Sequence, residues 1–226
     1  KEGRKKGLKG KELRLFTKGP AYESADVPDE TYYDGVIAKR AIEELKKGSE
    51  KPLFLAVGFK KPHLPFVAPK KYWDLYKKED IAVPARKAPT GVADQALTSW
   101  GELRAYNGTP KEGPCSDELT KNLIHGYRAC VSYVDAQLGR VLAELEKQGL
   151  RDETIVVLWG DHGWKLGDYG CWNKHTNFEL DTRVPLIFSG PGIPKGKRTK
   201  ALTEFVDIYP PSPTTAHWKS RSTAKA

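Results

Sequence analysis

Between Ser116 and Gln148 one pattern repeats without interruption. Leu119, Leu123, Tyr127, Val131, Val134, Leu138, Leu142 and Leu145 follow one another at three- and four-residue steps. That period places them on one stripe of a long helix, and the stripe needs a partner to cover it. Asp117 and Glu118 suit the positive end of such a helix, and Gly149 is a natural stop. A shorter helix carrying Val36, Ile37, Ala41 and Leu45 is expected to end at Gly48. Three short apolar runs supply the partners: PLFLAVGF at 52–59, TIVVLWG at 154–160 and VPLIFSG at 184–190. Each reads as a strand buried on both faces. Strands alternating with helices predict an α/β fold, a mostly parallel sheet sandwiched by helices.

The rest of the chain reads as connection. The segment up to about Pro28 is polar, basic and aperiodic, and residues 84–116 form a long Pro- and Gly-rich excursion. A hydrophobic content of 38% is enough for a core. No run approaches the ~20 apolar residues of a membrane span. Cys115, Cys130 and Cys171 are odd in number and lack metal-pair spacing, so they predict neither a disulfide framework nor a zinc ribbon. A net charge of +9 fits an anionic partner or simply a solvated basic surface, and much of the excess sits in the first 18 residues. Nucleic acid is disfavoured, because the aromatics do not interleave with the basic clusters and no recognition motif is present. The chain has no Met and opens on KEGRKKGLKG, neither an initiator nor a signal peptide, which reads as a fragment.

Ligands of open α/β sheets collect beyond the carboxyl ends of the strands. Two polar clusters occupy that place. KKPHLPF follows the first apolar run and GDHGW follows the second, so His63 and Asp161-His162 are expected on one rim. Asp161 and His162 offer an oxygen and a nitrogen donor, part of a divalent-metal site; equally, Asp161 caps a turn and His162 packs as a polar core residue. His63, set among Pro62, Leu64 and Pro65, is either a held proton donor or a loop histidine. Lys174, thirteen residues after Asp161, is an anion ligand, a proton donor if its pKa is lowered, or a surface lysine, and Trp164 is a pocket wall or core. His125 reads as structural, His175 is not singled out, and Cys171 has no role.

Taken together, KPHLPF after an apolar strand, DHGWKLGDYGCWNKHTNFELDTRVPLIFSGPG and VDIYP resemble the sulfatases of the alkaline-phosphatase-like superfamily, most of all the iduronate-2-sulfatase group and its bacterial relatives. The resemblance runs from about Asp26 to Pro210. It implies hydrolysis of sulfate esters of sulfated sugars by a formylglycine nucleophile beside a calcium ion. Asp161 and His162 match family metal ligands, His63 and Lys174 match sulfate-contacting residues near the leaving oxygen, and Trp164 matches a pocket-wall tryptophan. A Lys, a His and a divalent cation around a sulfate ester would stabilise the charge that develops on its bridging oxygen. By the same resemblance the protein is exported (periplasmic or extracellular) or lysosomal.

The departures are as informative. None of the sequences CSDEL, CVSYV and CWNKH fits the C-x-P/A-x-R motif that is converted to formylglycine, and the family's Asp-Asp metal pair is absent. Both are expected upstream of Lys1. Residues 1–210 therefore read as a partial catalytic domain, inactive alone and lacking its N-terminal part. After VDIYP, residues 211–226 read as a frameshift product, compatible with a one-base slip in the Pro210 codon, or as a disordered basic tail. Two other readings stay open. One is a phosphodiesterase or phosphonate hydrolase of the same superfamily. The other is a non-catalytic fragment that binds polyanions.

Overall fold

The computed structural model describes residues 5–10, 18–97 and 101–208. Its helices are α1 (Tyr33–Lys47), α2 (Lys70–Trp73), α3 (Asp117–Lys147) and α4 (Glu179–Thr182), and its strands β1 (Tyr22–Ala25), β2 (Phe66–Pro69), β3 (Val156–Trp159) and β4 (Leu186–Ser189). β1 and β2 pair in parallel, with Tyr22 opposite Phe66. β3 and β4 pair antiparallel, with Val156 opposite Ser189.

The 31-residue α3 is the spine, touching α1, α2, β1 and β2. Its first turn is capped by Ser116, whose hydroxyl accepts the Leu119 amide at 3.1 Å. Two apolar clusters flank it. One gathers Leu64, Phe66, Trp73, Leu123, Tyr133 and Trp164; the other gathers Ala38, Ala41, Leu45, Val141 and Leu145.

The buried face of α3 is rotated from the expected stripe. Val131 is exposed, Val134 and Leu138 are half-buried, and Tyr133 and Gln137 take the inner positions. Their polar ends are satisfied there. The Tyr133 hydroxyl accepts the Gly35 amide at 2.6 Å and donates to the Asp29 carbonyl at 2.9 Å, and Gln137 Nε2 donates to Asp29 Oδ2 at 3.0 Å. A pattern of apolar residues cannot register partners that are polar.

Three expectations need correction. β1 lies in the opening segment read as loop, held by β2 and by a bridge from Pro20 to Asn107. The run 52–59 has no ladder partner among the described residues. Its burial alternates: Leu55, Val57 and Phe59 lean on the second cluster while Phe54 is 90% exposed. The pair β3–β4 is antiparallel, an exception to the mostly parallel sheet expected; between the strands stand only the 3-10 turn Asp168–Gly170 and the four-residue α4, and no long crossover helix returns the chain. The α/β class itself holds, with one parallel pair and helices packed beside it. The expected tail, residues 211–226, lies outside the described residues.

Gly126 marks the tightest contact of the spine. A Cβ there would stand 2.7 Å from Trp73 Cη2 and 2.9 Å from Phe66 Cβ. Alanine gains about 1 kcal/mol over glycine within a helix, whereas overpacking a fixed contact costs about 1–3 kcal/mol. Gly126→Ala is therefore expected to lower the urea midpoint, and Gly139→Ala, with nothing within 4 Å of its Cβ, to raise it.

Candidate anion-binding site

His63 is delivered by a tightly tied turn. Asp34, buried at the start of α1, accepts the amides of Lys60 at 2.8 Å and Lys61 at 3.0 Å. The Lys61 ammonium reaches inward to the carbonyls of His63 at 3.0 Å and Pro65 at 2.5 Å. Burial pushes the Lys61 pKa down. The peptides before Pro62 and Pro65 are both cis.

The second turn, 160–163, is clamped between β4 and α4. Gly160 donates to the Pro185 carbonyl at 3.1 Å and Gly163 to that of Asp181 at 2.7 Å. A Cβ on Gly163 would lie 2.0 Å from the Leu180 carbonyl oxygen, so only glycine permits this approach. The chain then folds back on itself, with Lys165 N to Asn173 O at 2.9 Å and Gly167 N to Cys171 O at 2.9 Å. This brings Lys174 beside Trp164.

Beneath the loop lies an ion pair without solvent. Lys165 has 0% exposure, and its ammonium meets Asp181 Oδ2 and the Thr176 hydroxyl. Thr176 adds its own amide at 2.9 Å and hydroxyl at 2.5 Å to the same carboxylate oxygen. Lys165, Thr176 and Asp181 carried no signal beyond their residue types; a lysine between Trp164 and Leu166 reads as a surface residue.

Above it the expected residues meet. Lys174 Nζ lies 2.8 Å from His63 Nε2, although 111 residues separate them, and 4.8 Å from the Trp164 ring centroid. The rings of His63 and His162 stand 5.6 and 6.5 Å from that of Trp164. Trp164 is thus the shared wall, and its buried Nε1 has no hydrogen-bond partner among the described residues. Glu102, which the sequence reading missed, bridges the pair: Oε1 is 3.1 Å from His63 Nε2 and Oε2 is 3.0 Å from Lys174 Nζ. It comes from the irregular excursion, where no motif or period marks it.

The hydrogen bonds fix the imidazoles. His63 Nδ1 faces the Leu64 carbonyl at 2.8 Å, so Nδ1 carries the proton and Nε2 accepts from Lys174. Burial, opposed by the Leu64 contact, holds the His63 pKa below its ordinary value; Lys174 lowers it further and Glu102 raises it. His162 Nδ1 faces the Gly163 carbonyl at 2.7 Å, which leaves Nε2 as a free donor atom 3.6 Å from Asp161 Oδ2. Asp161 is 85% exposed. A cation could be shared by that nitrogen and oxygen, and a full shell needs further oxygens. No group of three or more candidate ligands occurs among the described residues.

The remaining candidates have other work. His125 Nε2 bonds the Trp73 carbonyl at 2.8 Å, as a structural histidine does, and His175 is exposed. All three cysteines are buried, and burial raises their thiol pKa values, that of Cys130 to about 12. None offers a thiolate.

Two measurements check this geometry. Replacing Lys165 by Met strands a buried carboxylate and is expected to cost about 3–5 kcal/mol in urea unfolding. An NMR titration of His63 is expected to give a pKa below 6.5. The folded chain then binds this proton less tightly than the unfolded chain. The His63 contribution to stability is therefore constant above pH 6.5 and declines as pH falls below it.

Comparison with known proteins places the chain in a family. The family model described as Sulfatase matches residues 5–212. A sulfatase of Formosa agariphila is 36% identical over 217 residues, covering 92% of this chain and 40% of that protein. Human iduronate 2-sulfatase is 39% identical over 188 residues, covering 79% of this chain and 33% of that protein. The chain thus spans well under half the length of these relatives. Among solved structures, a phosphonate monoester hydrolase from Silicibacter pomeroyi superposes with a TM-score of 0.70 at 27% identity, covering 85% of this chain and 38% of the other. With its family model matched over almost the whole chain, this protein belongs to the sulfatase family.

Proposed function

We propose that the chain supplies the leaving-group side of a sulfate-ester hydrolase acting on sulfated sugars. The observation that carries this reading is the 2.8 Å contact of Lys174 Nζ with His63 Nε2 against Trp164. An ammonium, an imidazole and an aromatic wall would together take one anionic ester.

The chemistry follows from the protonation states. Lys174 holds a proton and shares it with the unprotonated His63 Nε2. When the S–O bond breaks, charge grows on the bridging oxygen, and the pair hands one proton to it so that it departs as an alcohol. Trp164 excludes water from one side. Asp161 and His162 would hold a divalent cation, calcium by resemblance, through Oδ2 and Nε2. The cation and a formylglycine would supply charge neutralisation and the attacking oxygen.

The rest of such a domain is proposed to cover the apolar residues left bare here, Phe54 on the first apolar run and Ile187 on β4. Export or a lysosomal site of action fits the same reading. Among the described residues no helix is long and apolar enough to cross a membrane.

A second reading has one observation in its favour, the superposition on a phosphonate monoester hydrolase. The same donors would serve a phosphonate or phosphodiester, so the substrate decides between the two.

The test uses an intact sulfatase that carries this segment. Lys174→Ala and His63→Ala are expected to lower kcat/KM on a sulfated sugar by ~10²–10⁴. The His63 loss should shrink on an aryl sulfate whose acidic phenol needs no proton. Faster turnover of a phenylphosphonate monoester than of any sulfate would favour the second reading. The 226-residue chain alone is expected to turn over neither; sulfatase activity from it would contradict the division of labour proposed.

A further inference from the structure

Glu102 reaches the ammonium and the imidazole that an ester's anionic group would meet. One carboxylate oxygen lies 3.1 Å from His63 Nε2 and the other 3.0 Å from Lys174 Nζ. Glu102 belongs to neither turn that builds the site. It stands at the head of the 3-10 turn Leu103–Ala105, within the long excursion.

That turn is secured without its side chain. Arg104 donates to the carbonyls of Pro110 at 3.1 Å and Gly113 at 2.6 Å, Thr109 Oγ1 donates to that of Leu103 at 3.0 Å, and Lys111 to that of Arg104 at 2.7 Å. Leu103 is buried in the core. The Glu102 side chain can therefore leave His63 and Lys174 while its backbone stays in place. Beside it lies a cavity of about 450 Å³ lined by Gly101, Leu103, Arg104, Lys111, Trp172 and Asn173.

We propose that Glu102 is a resident counter-anion, paired with Lys174 beside His63 until a sulfate-like oxyanion displaces it. The inference rests on the anionic-ester reading above. A carboxylate and a sulfate group cannot both sit on the same ammonium and imidazole, because like charges at hydrogen-bond range repel strongly away from bulk water. The resident carboxylate keeps the lysine aimed at the imidazole when no ligand is present. It also sets a threshold, since a ligand must carry enough negative charge to replace it. Neutral sugars fail that condition and sulfated ones meet it.

The probe is inorganic sulfate, titrated into the 226-residue chain at constant ionic strength, with the His63 imidazole signals as readout. Glu102→Gln is expected to bind sulfate at least ~5-fold tighter than the parent chain. The double variant Glu102→Gln/Lys174→Ala is expected to lose that gain. Equal or weaker binding by Glu102→Gln overturns the proposal, as does a gain that survives loss of Lys174. Should Glu102→Gln fail to fold, the parent chain decides: sulfate is expected to shift the Glu102 carboxylate carbon signal together with His63, and a shift of His63 alone overturns the proposal. Tighter binding by Glu102→Gln without ester turnover in an intact enzyme would refute the hydrolase reading and leave the resident anion standing. Turnover with no gain in binding would do the reverse.

Discussion

A lysine ammonium with no solvent around it needs acceptors, and Asp181 and Thr176 provide two for Lys165. The loop from Gly160 to Thr182 folds around that requirement. Asp181 lies in α4, Thr176 just before it, and Lys165 directly after Trp164. Holding these three together draws the loop into a closed figure with Trp164 and Lys174 on its outer side. An exposed ion pair would be too weak to impose such a shape, whereas a buried one is costly to break.

The opposite side of the hollow is built by a different device. Asp34 anchors the backbone at Lys60 and Lys61, and the Lys61 ammonium fills the turn from within. Both turns rest on the same core, since Leu64, Phe66 and Trp164 belong to one cluster against α3. Packing brings two segments more than a hundred residues apart into hydrogen-bond contact. Neither segment could form the site by itself.

Much of this was legible in the sequence. The three- and four-residue period announced α3, and its Gly149 stop and acidic start were readable from residue type. His63, Asp161, His162, Trp164 and Lys174 stood out because they follow apolar runs directly or fall in a familiar motif. What stayed hidden is of one kind. Tyr133 and Gln137 turn inward because Asp29 and Gly35 meet their polar ends, and Lys165 is buried because Asp181 is. Glu102 reaches the site from a segment with no period at all. These are long-range polar matches, and no local pattern encodes them. The antiparallel pairing of β3 with β4 was not legible for a related reason: strand direction follows the connection between strands, not the strands' own composition.

The central claim is that one anion sits on the Lys174 ammonium beside the His63 imidazole. Selenate is a close shape mimic of sulfate, and its selenium scatters anomalously. An anomalous difference map from a selenate-soaked crystal of this chain should show a peak within hydrogen-bond reach of both Lys174 Nζ and His63 Nε2, with the Glu102 carboxylate turned aside. Peaks confined to surface lysines, with Glu102 still bridging the pair at saturating selenate, would contradict it.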